Sequence, residues 1–174
     1  MTQTQPETFR TESRTFTWAS PGQGDPRHLM ALDGLGQLQA MADGAMPPPP
    51  IMATLGVTGF RPERGRVVVE MPAAEFHYNP LGGVHGGVIS TLLDTAAACA
   101  VQSTLEVGEG YTSLDLSVKF LRPVTVDSGL LTCEGDVIQR GRRTALAQAR
   151  LTDGSGRLVA HATSSCMIFP GSRP

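Results

Sequence analysis

The sequence predicts an α+β fold, a six-stranded antiparallel sheet wrapped round one long helix with an extra N-terminal helix ahead of it. Three observations carry that prediction. Six stretches alternate in polarity or run apolar between turn signals. One long segment, residues 86–104, is apolar or small on nearly every face and must therefore be buried on most sides. The chain has 174 residues, 40% of them hydrophobic, which suits one domain with one core.

In order, residues 1–26 are rich in Thr, Gln, Ser, Pro and Gly and offer little beyond Phe9, Phe16 and Trp18 for burial, so a poorly ordered arm is expected. Leu29, Met30, Leu32, Leu35, Leu38 and Met41 then recur at mostly three- and four-residue steps, which predicts an amphipathic helix over 26–45. Gly44 and the run Pro47-Pro48-Pro49-Pro50 stop it and form an extended linker. Residues 27–50 thus make helix and linker, and 51–170 the main domain. From Ile51 the period changes to two, so 51–58, a turn at Arg61-Pro62-Glu63-Arg64-Gly65 and 66–71 read as a hairpin. Four more strands are expected at 113–121, 130–139, 144–152 and 158–169, separated by Arg122-Pro123, Arg140-Gly141 and Asp153-Gly154-Ser155-Gly156.

Composition removes several function classes. A formal net charge of −2 gives no electrostatic drive toward nucleic acid or an anionic membrane. Cys99, Cys133 and Cys166 lie far apart without CxxC spacing, so no metal or disulfide framework is expected and the thiols read as small core fillers. No stretch approaches the ~18 apolar residues of a transmembrane helix, and the first thirty residues lack an apolar region of signal-peptide type. A soluble cytoplasmic protein without metal or resident cofactor is expected.

Asp94 is the anomaly of the long helix, set between Leu92-Leu93 and Ala96-Ala97-Ala98, since carboxylates are rarely buried unless paired. At about 100° per residue it shares a stripe with Gly87, Ser90, Ala98 and Val101, narrow and mostly small, which suits a cleft or interface. The helix is preceded by Asn79-Pro80-Leu81-Gly82-Gly83-Val84-His85-Gly86-Gly87, and glycines at a helix start let a ligand reach unpaired backbone N–H groups. An amide donor plus a carboxylate are the minimum parts for attack on a carbonyl. Gly86 and Asp94 are eight residues apart, roughly 12 Å of helix rise, too far for one copy to supply both easily. A two-fold dimer, each helix start facing its partner's helix middle, would supply both at two equivalent sites.

Asn79, His85-Gly86-Gly87, Asp94, Ser113-Leu114-Asp115-Leu116, Phe120-Leu121-Arg122-Pro123 and Gly141-Arg142-Arg143 together resemble the hotdog-fold acyl-CoA thioesterase superfamily, in particular the phenylacetate-pathway (PaaI-like) group and its 4-hydroxybenzoyl-CoA relatives. The resemblance covers roughly residues 51–169. It implies a sheet wrapped round a long helix, homodimers joined through a continuous sheet, and homotetramers built from two dimers. It implies that the Gly86 N–H polarises the thioester carbonyl, that Asp94 of the partner is base or nucleophile, that Asn79 holds substrate or water, and that His85 orients by hydrogen bonding. Ser113 matches a hydroxyl that positions water, with Thr112 the alternative. Ala98 departs from relatives that carry a hydroxyl there.

Gly87 and Val88, with Leu92, are expected to border the acyl group, and Arg122, Arg140, Arg142 and Arg143 to be available for coenzyme A phosphates; for the RGRR turn a solvated hairpin is the equal alternative. His28, His77 and His161 have no partner visible in sequence, and a structural or surface role is expected for each. Three activities compete: acyl-CoA hydrolysis, with coenzyme A entering as part of the substrate; hydration or dehydration of an acyl thioester, whose His–acid spacing is not found here; and acyl-CoA binding without turnover, for which a retained Asp94 has no use.

Overall fold

A computed structural model describes residues 10–20 and 31–169. Phe9, His28, Leu29 and Met30, and so the start expected for the first helix, lie outside the described residues. Helix α1 spans Gly34–Ala42 and begins at Asp33, whose carboxylate accepts the Gly36 N–H at 2.7 Å as a side-chain N-cap. The helix expected over 26–45 is thus shorter where it can be seen. Residues 51–58, read above as a strand, instead open with a second helix, α2, Pro50–Leu55. The reason is local: Pro50 sits where its missing N–H costs nothing, and Gly56, at φ 77°, ends the helix in the left-handed conformation.

The sheet has seven strands, not six. Strands β1 (Gly59–Glu63) and β2 (Arg66–Pro72) form the first hairpin, closed by a turn of only Arg64 and Gly65. Strands β3 (Gly110–Ser113) and β4 (Ser117–Phe120) replace the single strand expected at 113–121. Both pair with β7, but their registers differ by one residue. Between them the Asp115 carboxylate accepts the Ser165 N–H at 3.1 Å, so a side chain takes over one ladder bond. Strands β5 (Leu130–Arg140), β6 (Thr144–Thr152) and β7 (Leu158–Phe169) follow as expected. The order is β1-β2-β5-β6-β7-β3, antiparallel throughout, with β4 also on β7.

The long helix α3, Gly86–Gln102, lies across this sheet. Ile89, Leu92, Leu93, Ala96, Ala97, Ala100 and Val101 form its buried face. Alternate positions of the sheet facing it are mostly small, Ala145, Ala147 and Ala149 on β6 and Ala160 and Ala162 on β7, which lets the helix sit close. At Gly135 on β5 the approach is backbone to backbone: a Cβ there would fall 2.2 Å from the Ala96 carbonyl oxygen. Cys133 and Cys166 are buried in this core, as fillers should be.

Candidate active site

The start of α3 is held by a chain of polar contacts. His77 is buried; its Nδ1 accepts the Ala74 N–H at 3.2 Å and its Nε2 lies 2.8 Å from the Leu55 carbonyl, which fixes a neutral ring carrying its proton on Nε2. Burial holds its pKa below the ordinary 6.5, with the Leu55 bond opposing and the Arg14 charge assisting. The His77 carbonyl accepts the His85 N–H at 2.8 Å. Arg14 completes the frame by donating to the Ala53 and Thr54 carbonyls at 2.6 Å each and lying 4.1 Å from the Phe76 ring centre. The last three carbonyls of α2 are thus tied to the arm and to the loop leading into α3. Arg14 and the His77 tie were not visible in sequence, because both partners are distant along the chain.

His85 is the N-cap of α3, and its Nδ1 accepts the Gly87 N–H at 2.9 Å. That capping bond occupies the Gly87 amide. The Val88 N–H turns back to the His85 carbonyl. The Gly86 N–H meets no acceptor among the described residues, so it is the open donor of the first turn, where the helix dipole adds positive potential. Asn79 folds back on its own loop, its Oδ1 accepting the Leu81 N–H at 2.8 Å and the Gly83 N–H at 3.4 Å.

Asp94 is half-buried, midway along α3, and its Oδ1 accepts from the Ser113 hydroxyl at 3.4 Å. Thr112, the alternative, points its hydroxyl to its neighbour's carbonyl at 3.5 Å. The stripe through Asp94 is graded: Gly87 is exposed, Ser90 and Asp94 half-buried, Ala98 and Val101 buried. It therefore opens toward the start of the helix. Leu92, expected beside the acyl group, is only 1% exposed and belongs to the core, because it lies on the face turned to the sheet; Val88 is half-buried. The eight residues between Gly86 and Asp94 remain helical, so within one copy the open amide and the carboxylate stay about 12 Å apart.

Of the cations, Arg140 is paired with Glu109 and donates to the Gly141 carbonyl at 3.4 Å, and Arg122 donates to the Leu158 carbonyl. Arg142 and Arg143 are exposed on the β5–β6 turn, and their side chains meet no partner among the described residues. His161 faces Lys119 and Arg150 in register on β7. Cys99 is held as the neutral thiol, since burial, with the Asp94 charge adding, pushes it up to about 12. Among the described residues no group of three His, Cys, Asp or Glu side chains could hold a metal, and no helix is long and apolar enough to cross a membrane.

Comparison with known proteins places the chain in a family. The Thioesterase superfamily family model matches residues 81–160. A 1,4-dihydroxy-2-naphthoyl-CoA hydrolase of Listeria monocytogenes is 27% identical over 118 residues, 68% of this chain and 93% of that protein. Acyl-coenzyme A thioesterase 13 of Homo sapiens is 30% identical over 97 residues, 55% of this chain and 68% of that protein. Among solved structures, a phenylacetic acid degradation-related protein from Ralstonia eutropha JMP134 superposes with a TM-score of 0.68 at 34% identity, covering 75% of this chain and 98% of that one.

Proposed function

The chain belongs to the thioesterase superfamily and has the hotdog fold, and from that premise we propose that it hydrolyses an aryl or medium-chain acyl-CoA to the free acid and coenzyme A at sites shared by two copies. It is a thioester hydrolase. The observation that carries the finer reading is the division of labour at the start of α3. His85 occupies the Gly87 amide and leaves the Gly86 amide open, while the carboxylate able to act with it is fixed under Ser113 two turns further on.

The Gly86 N–H polarises the thioester carbonyl and stabilises the oxyanion as it forms. Asp94 of the second copy either draws a proton from water as that water attacks, or attacks the carbonyl itself to give an anhydride that water opens; in both routes the coenzyme A thiolate leaves. Ser113 holds the carboxylate, and a water shared with it, toward the carbonyl. Asn79 and His85 shape the loop that presents the amide. Strand β3 supports the pairing of copies, since its outer edge has no strand partner among the described residues and an open edge is a template for another strand. Joining two β3 edges would extend the sheet across the dimer and bring each Asp94 toward its partner's α3 start, and two such dimers would make the tetramer.

For coenzyme A the free cations Arg142 and Arg143 are the ones available. In register, Ala145 on β6, Cys166 on β7 and Ser113 on β3 lie in one row, so the basic turn is two strand spacings, roughly 10 Å, to the side of Ser113 and just beyond its row. The test is release of free thiol from phenylacetyl-CoA and octanoyl-CoA. Turnover is expected in the native chain, and Asp94→Asn should lower kcat by about 10²–10⁴. A native chain that binds both thioesters and releases no thiol would leave only the binding reading.

A further inference from the structure

A cavity of about 260 Å³ lies between α1, the linker after it, α2 and the second half of α3. Leu38, Met41, Met46, Met52, Cys99 and Tyr111 are among its walls, and none of the residues lining it is charged. We propose that this chamber receives the acyl group of the thioester, so that acyl specificity is set by the chain's own N-terminal segment, residues 38–52. The proposal rests on the reading above that Asp94 marks where the thioester lies.

Three features lead there. The first is position. Thr95, next to Asp94, and Cys99, roughly 7.5 Å further along the helix, both line the chamber. On β3, Tyr111 and Ser113 are two residues apart and so share a face; Ser113 donates to Asp94, while the Tyr111 hydroxyl donates to Gln102 Oε1 at 3.4 Å. The strand therefore roofs the carboxylate with one residue and the chamber with the other. The chamber begins beside Asp94, at Thr95, and runs along the helix away from its own Gly86.

The second is chemistry. The polar atoms that face inward are already neutral or engaged: burial and Asp94 keep the Cys99 thiol protonated, and the Tyr111 hydroxyl is bound to Gln102. Nothing there suits phosphate, and much suits hydrocarbon. Three Met side chains give a wall that adapts to straight chains and flat rings alike.

The third is size. An enclosed apolar cavity of about 150 Å³ takes up benzene, and by that ratio this pocket of 260 Å³, open to solvent along part of its rim, holds at most roughly ten carbons. That is a single ring with its linker, or a medium-length chain. Residues 38–52 supply walls that lie outside the 81–160 segment matched by the family model, and Thr95, Cys99, Gln102 and Tyr111 supply further walls from within it.

Two measurements test it. In the first, kcat/KM is followed over acetyl-, hexanoyl-, decanoyl-, palmitoyl- and phenylacetyl-CoA for the native chain, Met46→Trp and Met41→Ala. Met41 and Met46 are only half-buried, so both variants should fold. The native profile should rise to about ten carbons and fall beyond. Met46→Trp should lower the decanoyl-to-hexanoyl ratio by about tenfold or more, and Met41→Ala should move the optimum to longer chains. Superimposable profiles for the three proteins would overturn the assignment. In the second, a non-hydrolysable decanoyl-CoA ketone carrying a diazirine on its last carbon is photolysed on the native protein. Adducts within 38–52 are expected, and adducts confined to other segments would overturn the proposal. Labelling within 38–52 by a protein that releases no thiol would keep the chamber and remove the hydrolytic reading, so the two failures are distinguishable.

Discussion

Two substitutions, each removing one half of the proposed site, should restore one another when placed in different copies. Gly86→Pro deletes the open N–H and little else. Gly86 is the first helical residue, where proline is accepted, and His85 before it already has φ −61° and ψ 137°, the extended conformation that a following proline requires. The added Cβ would come 3.1 Å from the Phe120 ring, which is 55% exposed and free to turn aside. Loss of one such donor should cost about 10²–10³ in kcat. Asp94→Asn removes the carboxylate while keeping its shape. If one copy supplies the amide and the other the carboxylate, a dimer of one Gly86→Pro chain and one Asp94→Asn chain has one site with both defects and one site with neither. Refolding the two proteins together in equal amounts makes half the dimers mixed, each with one of its two sites intact, so about one quarter of native activity should return. The assay is thiol release before and after joint refolding, with dimer content followed by light scattering. Mixed dimers no more active than the average of the two parents would refute sharing of the site. The 12 Å of helix between the two groups would then have to be bridged within one copy.

Other expectations follow from named contacts. Gly135→Ala must push a Cβ into the Ala96–Ala97 backbone and should lower unfolding free energy by about 3 kcal/mol in urea titration; an unchanged midpoint would mean that the helix does not rest on the sheet there. Because burial holds His77 below 6.5, the unfolded chain takes up a proton that the folded chain refuses. Stability should therefore be full above about pH 6.5 and fall as pH drops below it toward the folded value. His77→Gln should flatten that slope in thermal melts between pH 8 and 5.5. Replacing Arg142 and Arg143 together by Ala should raise KM for acyl-CoA about tenfold at low salt with kcat little changed, and the effect should shrink as salt is added. A KM insensitive to both changes would return the turn to the role of a solvated hairpin.

How far the sequence foretells this architecture depends on whether each signal is local. Strands β5, β6 and β7 are legible because nearly every second residue is apolar or small and Gly-bearing turns separate the runs. The start of α3 is legible from the glycines, and the burial of its long face from its composition, whereas the His85 cap emerges only in the structure. The stretch after Ile51 misleads because alternation over six or seven residues cannot outweigh a proline opening and a glycine stop around a helix of six. The break between β3 and β4 is hidden for a different reason, since the Asp115 carboxylate that replaces a ladder bond acts on Ser165, fifty residues away.

The same distinction applies within the site. Asp94 stands out in the sequence as a charge in an apolar helix, but the Ser113 hydroxyl that meets it is fixed only by the register of β3 on β7. The chamber needs three segments to converge, and each of its methionines, read singly, is only another core residue. Specificity of this kind is written in the juxtaposition of elements, and the proposed catalytic pair in the order of residues along one helix. The acyl preference should therefore change under substitutions in 38–52 that leave the spacing from Gly86 to Asp94 untouched, while no substitution there should substitute for either of those two groups.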